Sequence, residues 1–187
     1  MNDFEKKNRD RLTQLLARVP HKNCPEGWRK SGTFAVGGLT GIGFSKQSEM
    51  LLVISSAGRG IIDCTLGEKV ARDYESGGVW YSPLELLCDG IGPIVGEKIQ
   101  IAGLYGGGLP IMNGDGESLE IAAPEWPKSD LIFCAPHTSS IIDGHQTGCV
   151  LIASDYFQVF GFSWSGNSFA FATSSDVTVF TKISGQN

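Results

Sequence analysis

The chain has 187 residues, 41% of them apolar and 19% charged, with 25 glycines; that is ample for a buried core and excludes a disordered chain or a simple helical bundle. Its net charge of −5 is uneven: residues 1–30 carry eight Lys/Arg against four Asp/Glu, and residues 31–187 carry seven against sixteen. A body with a balance of −9 repels nucleic acid, so a basic protein partner suits it better. No apolar run approaches the roughly 18 residues of a membrane span.

The first residues, Met1 to Arg11, are too charged for a signal peptide, and a cytoplasmic location is expected. Cys24, Cys64, Cys88, Cys134 and Cys149 are scattered, with no Cys-x-x-Cys pair. They read as buried free thiols rather than a disulfide framework.

Asp3 to Val19 reads as an amphipathic helix. Leu12, Leu15, Leu16 and Val19 follow helical spacing, Phe4 extends the stripe, Asn2 or Asp3 can cap the start and Pro20 stops it. Residues 20–32 look irregular. The expected organisation is therefore a helix and lead-in over residues 1–32, then a single all-β domain over residues 33–187.

Within that domain Thr33–Val36 is a short strand, and Leu51–Asp63 follows as two apolar runs around a small polar turn, the pattern of a β-hairpin. The same outline recurs at Leu131–Asp143 and Phe169–Thr181, at offsets of 80 and 38 residues. These are close to two periods and one period of about 40. Gly43-Phe44-Ser45 and Gly161-Phe162-Ser163 precede the first and third copies at equal distance. Between the copies, Ser82-Pro83-Leu84-Glu85 is a helix start, predicting a short helix over Pro83–Leu87. Glu97–Leu104 alternates as a strand. Leu109–Met112 and Ser118–Ala122 flank Asn113-Gly114-Asp115-Gly116, a strong hairpin turn.

The sharpest catalytic or metal candidate is Cys134, His137, His145 and Cys149, four zinc-type ligands within 16 residues. The repeat alignment opposes it, because Cys134 falls where the other copies place Ile54 and Ala172. Ser139, Ser140, Asp143 and His145 could be hydrolase parts, but no Gly-x-Ser-x-Gly elbow presents a nucleophile. The glycine clusters at Gly90–Gly92 and Gly103–Gly108 match no phosphate-binding pattern and read as turns or bulges.

What remains is a binding surface. Trp80 and Trp126 sit in loop-like settings, as wedges or interface anchors. Many acids fall at predicted turns or strand ends. If the repeats pack side by side, Asp63 and Asp143 share one repeat position and Asp73 and Asp155 another, which would gather carboxylates on one face. The partner-binding candidates are Asp63, Asp73, Trp80, Asp115, Glu117, Trp126, Asp143 and Asp155.

Gly161 to Phe180, and Gly43 to Asp63 with Thr65–Val70, resemble the inner hairpins of a WD40-type propeller blade. That resemblance implies antiparallel propeller-like meanders in about four degenerate units, with a β-sandwich of the same hairpins as the alternative. In size and acidity the chain is also similar to the immunity proteins that bacteria make against contact-dependent toxins. The resemblance implies a non-catalytic protein, without cofactor or metal, that neutralises a basic nuclease toxin by binding it. The alternatives are a propeller-type scaffold for another protein, or a metal-dependent hydrolase using the Cys/His cluster.

Overall fold

The structure is a computed structural model, and it describes residues 3–75 and 78–183. Helix α1 (Asp3–Leu16) precedes β1 (Trp28–Ala35), β2 (Leu39–Phe44), β3 (Met50–Ser55), β4 (Gly58–Asp63) and β5 (Glu68–Asp73). Then come β6 (Tyr81–Ser82), β7 (Leu87–Asp89), β8 (Lys98–Gln100), β9 (Ala102–Gly103) and β10 (Ser118–Ala122). The described chain closes with β11 (Ser129–Cys134), β12 (Cys149–Asp155), β13 (Val159–Phe162), β14 (Ser168–Ala172) and β15 (Asp176–Lys182). The strands form four antiparallel sheets, in the orders β5-β4-β3-β2-β9, β6-β7-β8, β10-β11-β12 and β1-β15-β14-β13. Neighbours in each sheet are mostly consecutive in the chain, and among the described residues no sheet closes on itself as a barrel. The protein is all-β with one N-terminal helix, as expected, and its sheets are built of antiparallel strands. Among the described residues no helix is long and apolar enough to cross a membrane.

By contacts the chain divides into two compact units, one reaching to Glu26 and adding Ile111–Tyr156, the other spanning Gly27–Pro110 and the chain from Phe157 onwards. This grouping cuts across the boundary drawn after residue 32, for a packing reason. Leu16 and Val19 bury against Ala122, Ile132, Cys134 and Cys149, which joins the helix to the β10-β11-β12 sheet. The lead-in read as irregular instead becomes a strand at Trp28, five residues before the expected start at Thr33, because β1 pairs with β15. The helix ends at Leu16 and not Val19, its last residues tightening into i→i+3 bonds from Arg18 to Leu15 and Val19 to Leu16. Phe4 is exposed and does not extend the apolar stripe, and Asn2 lies outside the described residues.

In the second unit, the run Leu51-Leu52-Val53-Ile54 is buried on both faces of its sheet. Leu51, Val53 and Ile62 pack with Ala170, Ala172, Val177 and Val179 of the β1-β15-β14-β13 sheet. Leu52, Ile54 and Ile61 pack on Cys88 and Ile99 of the β6-β7-β8 sheet. Two-sided burial accounts for a continuous apolar run where a half-exposed strand would alternate. Each of the Leu, Ile and Val side chains among them contributes about 1.5–3 kcal/mol on burial. On β14 and β15, Phe169, Phe171 and Phe180 turn to the opposite face from Ala170, Ala172, Val177 and Val179. There Phe169 and Phe180 stack at 4.4 Å between ring centroids, and Trp28 meets Phe169 edge-on at 4.9 Å.

Three local expectations change. Pro83–Leu87 is no helix: Pro83 to Leu86 form the turn between β6 and β7, with Leu86 in the left-handed region at φ 54°, and Leu87 opens β7. The pairing of Tyr81 with Cys88 buries apolar surface that a one-turn helix would leave exposed. The Glu97–Leu104 strand is broken into β8 and β9. Leu109–Met112 contributes only the bridge from Met112 to Ser118, although the Asn113–Gly116 turn forms as read, with the Asn113 amide donating to the Glu117 carbonyl.

Candidate functional site

The first and third copies of the repeat are the hairpins β3–β4 and β14–β15. The middle copy is not a hairpin. β11 forms as expected, but its next partner is β12, and residues 135–148 run between them as an irregular loop. Pro136 cannot donate to a ladder, and His137 takes a left-handed φ of 62°. Gln146, itself buried, donates to the carbonyls of Ser140 and Ile142 and organises the loop from inside. The equivalence of Asp63 and Asp143 is thereby overturned.

The candidate binding residues separate accordingly. Asp63, closing β4, is buried and caps the following turn. Its Oδ1 accepts bonds from the Thr65 amide at 2.8 Å, the Thr65 hydroxyl at 2.6 Å and the Leu66 amide at 3.0 Å. Burial alone would raise its pKa, yet these three bonds together hold it below the usual carboxylate value. Asp73, closing β5, accepts from the Glu75 amide at 3.0 Å and from the Arg59 Nε at 3.0 Å, and both bonds lower its pKa. Trp80 is half-buried, with the Arg59 guanidinium 4.8 Å from its ring centroid. Arg59, 8% exposed, also donates to the Asp89 carbonyl at 2.7 Å, so Asp73, Arg59 and Trp80 clamp β4 to the β6-β7-β8 sheet. Asp63, Asp73 and Trp80 are occupied in holding the fold together.

The other five candidates all lie between Ile111 and Tyr156, where seven acids stand against the single basic residue Lys128. They do not gather on one face. Asp115, Glu117 and Asp143 lie where β10 begins and β11 ends. The Glu117 carboxylate accepts from the Asn113 side chain at 2.7 Å, and Asp143 pairs with Arg18 at 2.7 Å, both largely exposed to solvent. Trp126 and Asp155 lie at the opposite end, about 17 Å away for a five-residue strand at roughly 3.4 Å per residue. Trp126 projects from the β10–β11 turn with 72% of its surface exposed, and the peptide bond to Pro127 is cis. Asp155 closes β12 opposite Ser129, its Oδ1 accepting from the Tyr156 amide at 2.7 Å, and Tyr156 is 57% exposed. Glu125 and Asp130 complete this end.

The hydrolase and metal candidates do not converge. Cys134 and Cys149 are buried directly opposite each other, with sulfurs 3.5 Å apart, while His137 and His145 are exposed. Burial, then the neighbouring Cys149 and Glu120, push the Cys134 thiol up. Among the described residues no three His, Cys, Asp or Glu side chains are grouped as metal ligands would be. Ser139 and Ser140 turn inward instead. Their hydroxyls donate to the Glu120 carboxylate at 2.7 and 2.6 Å, and the Ser140 amide adds a bond of 2.8 Å.

Two of these residues escape a sequence reading. Arg59 stands in Gly-Arg-Gly between apolar runs, where a turn is the natural interpretation. Glu120 is a lone acid in the strand pattern Ser-Leu-Glu-Ile-Ala, and that isolation is its only signal. No protein-family model matches this chain, and no curated protein or solved structure matches it.

Proposed function

We propose that the protein is a non-catalytic binding module, and most concretely a bacterial cytoplasmic immunity protein that neutralises a basic nuclease toxin in contact-dependent inhibition. The observation that carries this reading is the end of the β10-β11-β12 sheet. Two exposed rings, Trp126 and Tyr156, stand there among Glu125, Asp130 and Asp155 in the most acidic stretch of the chain. Exposed aromatics supply contact area at low entropic cost, and hot spots are enriched in Trp and Tyr. Carboxylates around them suit a surface that binds phosphate, and they speed encounter with it. Asp115, Glu117 and Asp143 add to the field from the far end.

The test begins with the genes beside this chain's own: an exported toxin domain encoded there is the expected partner, and its absence would count against the proposal. Co-expression of the chain should restore growth, and the purified chain should bind the toxin and block its nuclease activity. Trp126→Ala together with Asp155→Lys should weaken binding by at least about tenfold while leaving the melting temperature within a few degrees. Failure to bind, or binding indifferent to this pair and to salt, would sink the proposal.

A further inference from the structure

The second unit holds a cleft that the protein-binding reading does not use. The β5 and β1 strands are the outer edges of two sheets packed through one core, and between them lies a cavity of about 580 Å³. Its depth comes from two features of the sequence. Gly60 lies on the same face of β4 as the core residue Ile62, so one position of the sheet's inner face carries no side chain. β5 also bulges at Val70: Ile62 pairs with Lys69, whereas Ile61 pairs with Ala71. The bulge carries the strand edge away from the regular ladder. The floor of the cleft therefore reaches Val53 and Ile62, which belong to the core itself.

The cleft has one sign of charge. Of its lining residues only Lys69 and Arg72 are charged, and no acid lies among them. The bulge places both on the inner face of β5 although they are three residues apart, and each is tethered to a different wall. Lys69 Nζ donates to the Ala35 carbonyl on β1 at 3.1 Å, and Arg72 donates to the Ala57 carbonyl in the β3–β4 turn at 2.7 Å. Arg72 also lies over the Tyr74 ring at 5.0 Å. Among the described residues neither cation is in an ion pair. Each keeps most of its donors free, since an ammonium has three and a guanidinium five.

We propose that this cleft binds a small apolar carboxylate, a medium-chain fatty acid or a compound of like shape, with its apolar body on Val53 and Ile62 and its carboxylate between Lys69 and Arg72. A cavity of this size, with apolar walls and a few convergent polar groups, has the character of a small-molecule site. Its depth toward the core, rather than a shallow run along β5, favours a compact ligand over an added peptide strand. The two tethered cations are held in place beforehand, which reduces the ordering cost of binding. The proposal concerns the other unit from the toxin-binding end, and neither depends on the other.

The experiment titrates the full chain with decanoate, decanol and decyltrimethylammonium by calorimetry, below their micelle concentrations, and follows backbone amide shifts. Decanoate should bind one to one, with shifts confined to residues 35–37, 53–62 and 69–74. Decanol should bind at least about tenfold more weakly and the ammonium compound not at all, since charge-assisted bonds supply the difference. The Lys69→Gln/Arg72→Gln double variant alters only exposed side chains. It should keep its melting temperature and lose at least about tenfold in decanoate affinity. Gly60→Leu should fill the floor and abolish binding. Equal affinity for decanoate and decanol, decanoate binding unchanged in the double variant, or binding of the extended peptide Val-Val-Val-Glu but not of decanoate would each overturn the proposal.

Discussion

Leu51–Asp63 and Leu131–Asp143 share one sequence outline and fold differently. In the first, Ile61 and Ile62 pair back onto β3 and are 1% and 2% exposed; in the second, the corresponding Ile141 and Ile142 are 38% and 54% exposed. Two apolar residues before an acid do not by themselves make a strand. In the first segment the turn between the runs is Ser-Ser-Ala-Gly, and a sheet packs on each face of the result. In the second, Pro136 interrupts the ladder, and Glu120 and Gln146 satisfy the polar groups of a loop. Tertiary pairing decides which of two similar sequences becomes a hairpin.

The largest expected effect tests this contrast in the apolar runs. Ile62→Ala should destabilise the protein by about 3 kcal/mol, as buried Ile-to-Ala changes do, whereas Ile142→Ala should cost less than about 0.5 kcal/mol. Urea denaturation of both variants checks it. Similar losses would mean that the second isoleucine pair is buried after all.

A smaller effect is expected at the acid that ends the first segment. Asp63→Ala removes three bonds that cap a turn and should cost about 1–2 kcal/mol, read as a lower urea midpoint at unchanged slope. Asp63→Asn keeps an acceptor and should recover part of the loss. A stability equal to that of the unaltered protein for Asp63→Ala would return Asp63 to the list of candidate binding acids.

Glu120 provides the pH-dependent difference between the segments. Burial opposes its ionisation, but the bonds from Ser140 and Ser139 outweigh it and hold its pKa below the ordinary 4.5. A carboxyl depressed in the folded state contributes stability that is fully present above its unfolded pKa. That contribution is lost as pH falls through the folded value. The 135–148 loop should therefore loosen progressively below about pH 4.5, with amide exchange at Ser139 and Ser140 rising before exchange in β3 and β4. In Glu120→Gln, which should cost about 1 kcal/mol, that loosening should already be present at neutral pH. Exchange that rises equally in both segments would show that Glu120 does not secure the loop.

The hairpins β3–β4 and β14–β15, the helix and the Asn113–Gly116 turn were legible because each is specified by neighbouring residues. What was not legible depends on distant partners. Trp28 begins a strand only because β15 lies beside it: Trp28 pairs with Lys182 and Arg29 with Thr181, and the Ser31 hydroxyl, at a bulge in the ladder, donates to that of Thr181 at 3.0 Å. Ser82-Pro83-Leu84-Glu85 is a sound local helix signal, worth about 1 kcal/mol as a cap, but it is outweighed by burying Tyr81 and Cys88 against Ile99. The candidate site followed the same rule. Composition pointed to acids and tryptophans, while burial and hydrogen bonding separated Asp63, Asp73 and Trp80, which hold the fold, from Trp126 and Asp155, which face solvent.

The smallest effect is expected at Asp143, the residue that aligns with Asp63 by outline alone. Asp143 accepts from Arg18 at 2.7 Å, and the two side chains are 77% and 59% exposed. An ion pair open to water gains little Coulomb energy, orders two flexible side chains and is screened by salt. Asp143→Ala should therefore change stability by less than about 0.5 kcal/mol. Arg18 need not be left buried and unpaired, because solvent already reaches it. The loop keeps its other tie to the helix, the Arg11 bond to the Ile141 carbonyl at 3.1 Å. If Asp143 serves a partner instead, its loss should appear in the association rate with the toxin. That rate should fall modestly at low salt and converge on the unaltered protein's at physiological salt, where the Debye length is about 8 Å. A stability loss as large as that of Asp63→Ala would show that the shared outline carries a shared structural role, and that the loop is better ordered around Asp143 than its exposure implies.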